Sequence, residues 1–344
     1  MSRFLALPIL LTCVAVASAA APPAVRPAVR ETFNVSYYHG DGQQTLDVFA
    51  PGATGGRLRP VVLFVHGGTW IAGDKNQFGL NRGVGRFLAR HGIVAVLINY
   101  RLSPVVKHPE HARDVARAFA WTCRNIARYG GDPTRIILAG HSAGGHLACL
   151  VATDKTYLAD PALKLTDRDR AGLCGVVGIS GVYRIPPPEE FRKMSAAIVE
   201  HLVARSTSPR LAGVLTPVLL RASESLNPFA LVFGSDPAVQ KQASPLYHVH
   251  KGLPPFLLLC ADRDVPGLEK MAEDFAAALR KAGDVVVFKV MHDCTHRSIL
   301  MRMHNNRDEA GKLLLDFVAR CAASRADHSV HSGEHAPARS CGGS

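Results

Sequence analysis

The stretch Ile136-Ile137-Leu138-Ala139-Gly140-His141-Ser142-Ala143-Gly144-Gly145-His146-Leu147 decides the fold. Its first four residues form a continuous apolar run, the pattern of a strand buried on both faces. From Leu147 to Ala152 the chain reads as an apolar helix. Between the two lies Gly140-x-Ser142-x-Gly144. A strand-to-helix turn this sharp crowds the backbone around its central residue, so glycines are needed on either side. The serine oxygen then stands clear of the sheet at a helix N-terminus, where the Ala143 N–H can face a developing oxyanion. Ser142 is the candidate nucleophile. Ser180, in Ile179-Ser180-Gly181, lacks the second half of the pattern and reads as structural.

Outward from this turn, strand and helix patterns alternate. Thr32 to Tyr38 and Thr45 to Ala50 resemble two strands joined by a Gly-Asp-Gly turn over His39 to Gln43. Apolar runs at Val61–Val65, Ile93–Ile98, Val176–Ile179, Phe256–Ala261 and Val285–Met291 supply further strands. Helical spacing of three and four links Ala112, Val115, Ala116, Phe119, Cys123, Ile126 and Ala127, and Gly130-Gly131 stops that helix. Met271–Leu279 and Leu313–Cys321 look similar. Such alternation predicts an α/β fold, a mostly parallel central sheet with helices on both faces. Tyr183 to His250 breaks the rhythm with Pro186-Pro187-Pro188 and short amphipathic pieces. It is expected to form a cap or lid over the C-terminal edge of the sheet.

A second motif follows an earlier strand, where Val61–Val65 runs into His66-Gly67-Gly68-Thr69-Trp70. Glycines let the main chain turn inward so that its amides face the serine, and such donors need no reorganisation during reaction. Gly68 and Thr69 are the expected oxyanion donors with Ala143. Gly67 and Trp70 are expected to border the substrate. His66 comes too early in the chain to be the base and reads as structural.

A serine nucleophile needs a base, and the base an orienting carboxylate. The run Phe256–Ala261 empties into Asp262-Arg263-Asp264, which offers two carboxylates. Asp264 lies further along the loop and is preferred, with Asp262 capping the strand. The last strand empties into His292-Asp293-Cys294-Thr295-His296. His296, at the loop tip before a helix, is preferred to His292 as the base.

His66-Gly67-Gly68-x-Trp70, Asn99-Tyr100-Arg101-Leu102 and the sequence Gly140 to Leu147 together resemble the α/β-hydrolase superfamily. Within it they look like the carboxylesterase and lipase branch, which includes feruloyl-esterase-like, hormone-sensitive-lipase-like and kynurenine-formamidase-like enzymes. The resemblance spans roughly Thr32 to Arg320. It implies a triad of Ser142, Asp264 and His296, an acyl-enzyme, a small-molecule ester as substrate, and no metal or organic cofactor. Thr69 replaces a third glycine found in many lipase relatives, and Cys260-Ala261 replaces the usual His-Gly before the acid loop. An arylformamidase or amidase using the same triad, and an inactive binding protein on this scaffold, are the alternatives.

Composition bounds the rest. The 344 residues are 47% hydrophobic and 20% charged, which suits a large buried core and excludes wholesale disorder. The formal charge of +12 is spread along the chain without a dense block, so a basic surface is expected rather than nucleic-acid binding. Met1 to Ala21 has the layout of a secretory signal, with Arg3, an apolar stretch to Val16, and small residues to Ala21. The mature chain is thus expected outside the cytosol or in the periplasm, without a stable membrane span. Residues 22–31 are expected as a flexible linker, 32–322 as the hydrolase domain with its cap at 183–250, and 323–344 as a disordered tail. Cys13 falls in the leader, which leaves Cys123, Cys149, Cys174, Cys260, Cys294, Cys321 and Cys341, an odd set. Cys149 and Cys260 sit in apolar runs and are expected in the core.

Overall fold

A computed structural model describes residues 28–38, 42–52, 55–77, 79–206, 227–304 and 308–331. The expected signal segment, residues 22–27 of the expected linker, positions 39–41 of the expected first turn, positions 207–226 of the expected cap and the expected tail beyond 331 lie outside them. A strand forms at every apolar run identified above. These are β1 (Val29–Ser36), β2 (Thr45–Pro51), β3 (Arg59–Val65), β4 (Val94–Ile98), β5 (Gly131–His141), β6 (Leu173–Ile179), β7 (Phe256–Arg263) and β8 (Val286–Thr295). Their order is β1-β2-β4-β3-β5-β6-β7-β8. Only β2 runs against the others: it pairs antiparallel with β1 and β4, and every pair from β4 to β8 is parallel.

The sheet divides two cores. Val61, Leu63 and Val65 of β3 face one, with α2 (Glu110–Asn125), α3 (Ala143–Thr153) and the helix Leu268–Ala282. Val62 and Phe64 face the other, with α1 (Leu80–Arg90) and the helix Glu309–His331. Two-sided burial is why these strands read as unbroken apolar runs and not as alternation. The edge strand β1 is largely exposed instead.

Two boundaries differ from expectation. β1 begins at Val29, inside the stretch 22–31 read as linker, because Val29 to Glu31 pair with Phe49 to Pro51. The last helix runs on through His331, into the stretch read as a tail. Helix α1 has no counterpart in the periodicity reading.

Chain connectivity positions the site. From β3 the chain crosses to β4 on one side, then returns to place β5 on the other. Strand order therefore reverses at β3, and loops leaving β3 and β5 diverge around a crevice at their C-terminal ends. The motif His66–Trp70 leaves β3 there, and the turn at Ser142 leaves β5.

Candidate active site

Ser142 stands between β5 and α3 with φ 55 and ψ −120, a conformation non-glycine residues rarely hold and one that costs about 1–3 kcal/mol. Packing imposes it. A Cβ on Gly140 would lie 2.2 Å from the Gly144 carbonyl oxygen, and one on Gly144 would lie 2.1 Å from that of Val65. The Ser142 N–H is fixed on the Ile179 carbonyl of β6 at 2.8 Å. The side chain is thereby turned outward.

Three side chains from three loops meet in line. Ser142 Oγ donates to His296 Nε2 at 2.9 Å, and His296 Nδ1 donates to Asp264 Oδ1 at 2.6 Å. Asp264 Oδ1 also accepts from the Val265 N–H at 2.8 Å. Oδ2 accepts from Ser180 Oγ at 2.5 Å and from the Ala261 N–H at 3.1 Å. Burial pushes the Asp264 carboxyl up, but the bonds from His296, Ser180 and Ala261 outweigh it and hold the group below the usual carboxylate value.

Asp262, the competing carboxylate, is occupied elsewhere. It accepts from the amides of Asp293 and Cys294 at 2.8 and 3.0 Å, tying the end of β8 to β7. His292 stays at the surface, with Nδ1 3.8 Å from Asp262.

The loop after β3 is strained in the same neighbourhood: Thr69 and Trp70 have φ 52 and 61. Gly68 adopts φ 122, and a Cβ there would sit 2.0 Å from the Ala72 carbonyl oxygen. The Gly68 carbonyl takes the N–H groups of Ile71 and Ala72. Among the described residues no acceptor pairs with the Gly68 or Thr69 amides. Ala143 opens α3, so its N–H has no intrahelical acceptor. Gly67 lies against the serine, where a Cβ would be 3.1 Å from Ser142 Cβ.

Trp70 is only 1% exposed. Its ring packs against Phe229 and Phe233 of the segment before β7, and Nε1–H donates to His146 Nδ1 at 3.1 Å. His146 Nε2 in turn donates to the Ala243 carbonyl at 2.7 Å. One imidazole thus joins the β3 loop, helix α3 and the segment before β7. Trp70 is a buried brace between the β3 loop and the segment before β7.

Two further histidines are structural. The His66 ring stacks on Tyr100, with centroids 4.5 Å apart, and its Nδ1 donates to the Gly67 carbonyl at 2.7 Å. His141 Nε2 donates to the His296 carbonyl at 2.8 Å. Burial pushes His66 down to about 4 and His141 and His146 to about 3, so all three are neutral. Sequence reading missed the contacts of His141, His146 and Ser180 with the site, because each partner is distant along the chain.

Cys123, Cys149, Cys174, Cys260, Cys294 and Cys321 are buried, and none of them is disulfide-bonded to another. Among the described residues no group of three or more His, Cys, Asp or Glu is placed to hold a metal ion, and no helix is long and apolar enough to cross a membrane.

The sheet order, the strained turn at Ser142 and the flanking helices define an α/β-hydrolase fold. Esterase B from Lactobacillus rhamnosis shares it at TM-score 0.66 and 21% identity, with 89% of each chain covered. A truncated carbohydrate esterase from gut microbiota matches at TM-score 0.65 and 19% identity, over 88% of this chain and all of that one. Residues 46–279 match the BD-FAE family, and the chain belongs to that family. Among curated proteins, esterase LipQ of Mycobacterium tuberculosis (strain ATCC 25618 / H37Rv) is 33% identical over 265 residues, covering 75% of this chain and 54% of LipQ. The probable isoprenylcysteine alpha-carbonyl methylesterase ICMEL1 of Oryza sativa subsp. japonica is 31% identical over 285 residues, 82% and 60% of the respective chains. The chain spans about half the length of the curated relatives it matches.

Proposed function

We propose that this protein hydrolyses small carboxylic esters through an acyl-enzyme on Ser142. The observation that carries the reading is the continuous line from Asp264 to His296 to Ser142, at 2.6 and 2.9 Å. Asp264 accepts the Nδ1–H, which leaves Nε2 free to accept the serine proton as Oγ attacks the ester carbonyl. The resulting oxyanion is stabilised by the unpaired amides of Gly68 and Thr69 and by the Ala143 N–H. His296 then protonates the leaving alcohol, and in the second half it takes a proton from water as the acyl-serine is cleaved. The esterase names of the relatives support the same chemistry. The leader-like segment Met1–Ala21 supports export of the mature chain.

The test is hydrolysis of short nitrophenyl esters by the wild type and by Ser142→Ala. The variant should fold and lose about 10³-fold or more of kcat. Full turnover by that variant would remove Ser142 from the reaction.

A further inference from the structure

The two oxygens of Asp264 serve different partners. Oδ1 takes the imidazole, while Oδ2 takes Ser180 Oγ at 2.5 Å and the Ala261 N–H at 3.1 Å. Ser180 follows β6, is wholly buried, and has its N–H fixed on the Leu259 carbonyl at 2.7 Å. Its φ is 48, in the region glycine occupies without strain. A serine held there against backbone preference has a use for its side chain. Its partner only accepts when ionised, so the hydroxyl proton is given to Asp264.

We infer that Ser180 is a positioning residue for the hydrolytic reaction, its hydroxyl locking the Asp264 carboxylate so that Oδ1 stays on His296 and setting the proton affinity of that imidazole. The inference rests on the reading of Ser142, Asp264 and His296 given above. Without the hydroxyl, the carboxylate keeps one N–H on Oδ2 and is less stabilised as an anion. It then holds an imidazolium more tightly, and the positive end of the hydroxyl dipole no longer opposes the charged ring. Both effects raise the basicity of His296.

Other groups facing this carboxylate do not mask the effect. His141 on the nucleophile turn, Tyr183 beyond β6 and Cys260 on β7 are kept neutral by burial, which lowers the first and raises the others. Arg263 lies at the exposed end of β7 among the Asp262 and Asp293 carboxylates, and His292 beside Asp262. All of these remain in a Ser180 variant.

The experiment measures kcat/KM against pH for nitrophenyl acetate with wild type, Ser180→Ala, Ser180→Gly and Ser142→Ala. Glycine suits φ 48 and lacks the hydroxyl, so it keeps the test open where the alanine variant does not fold. In the Ser180 variants the acid limb should move up by about half a pH unit or more. Their kcat should fall about tenfold with KM within about twofold. A wild-type profile in Ser180→Gly would mean that only the backbone matters, and overturns the inference. If Ser142→Ala is dead in that experiment, the reading of the active site stands regardless. A wild type with no ester turnover overturns both.

Discussion

His141 Nε2 donates to the main-chain carbonyl of His296 at 2.8 Å, so the turn at Ser142 itself holds the loop that carries His296. The two rings lie 4.8 Å apart. The His141 ring is neutral, pushed down to about 3 by burial, and contributes a fixed donor rather than a titrating charge. His141→Phe keeps a planar aromatic ring, somewhat larger, and removes the donor. It should lower kcat about tenfold, as expected for one lost positioning hydrogen bond, while KM stays within about twofold. Steady-state kinetics on nitrophenyl acetate check this, and unchanged kcat would show that the base loop is held by other contacts.

Gly144 has no room for a side chain. A Cβ would lie 2.1 Å from the Val65 carbonyl oxygen and 2.5 Å from that of His66, both backbone atoms of the β3 end. Gly144→Ala must push α3 away from β3, at an expected cost of about 2–3 kcal/mol or more. Denaturant midpoints should fall accordingly, or soluble protein should be lost. Gly42→Ala is the control, since no described residue lies within 4 Å of its Cβ position. Equal stability of the two variants would contradict the packing described.

The same steric facts explain what was legible in the sequence. Strands buried on both faces have to be apolar throughout, so Val61–Val65 and Ile136–Ala139 announce themselves. The Ser142 turn is legible because two backbone approaches demand glycine. Helix α1 was legible too, since Leu80, Val84, Phe87 and Leu88 fall at helical spacing on the face that packs on the core. Asp262 and Asp264 both leave the end of β7, and sequence can only rank them. Pairing of Asp262 with the amides of Asp293 and Cys294 separates them, a contact between strands that no local pattern encodes. Ser180 is the sharper case. It reads as structural because half a motif is missing, yet the fold sets it on Asp264, 84 positions away.

Four buried imidazoles make stability depend on pH. His66 and His111 are lowered to about 4 and His141 and His146 to about 3, in each case by burial. An unfolded chain protonates histidine near pH 6.5. Between that value and the folded ones, the unfolded state binds more protons, so stability falls as pH drops. The contribution is complete above about pH 7, and each ring forfeits about 1 kcal/mol on going to pH 5.5. Tm measured at constant ionic strength should fall steadily from pH 7 to 5.5. A flat profile would mean that these rings gain protons in the folded state as readily as in the unfolded one.

The Trp70–His146–Ala243 relay can be resolved by a double-mutant cycle. Trp70 Nε1–H fixes His146 Nδ1 as acceptor, which leaves Nε2–H for the Ala243 carbonyl. Trp70→Phe removes the donor and leaves a buried nitrogen unpaired. His146→Phe strands both the indole N–H and the carbonyl. Each single change should cost about 1–3 kcal/mol, with His146→Phe the larger because it orphans two groups. In the double variant the stranded indole is gone, so the combined cost should fall short of the sum by about 0.5–1.5 kcal/mol. Chemical denaturation of the four proteins gives the coupling directly. Strict additivity would show that the β3 loop and the segment before β7 are held by the contacts of Trp70 with Phe229 and Phe233 alone, with no energetic link through the imidazole.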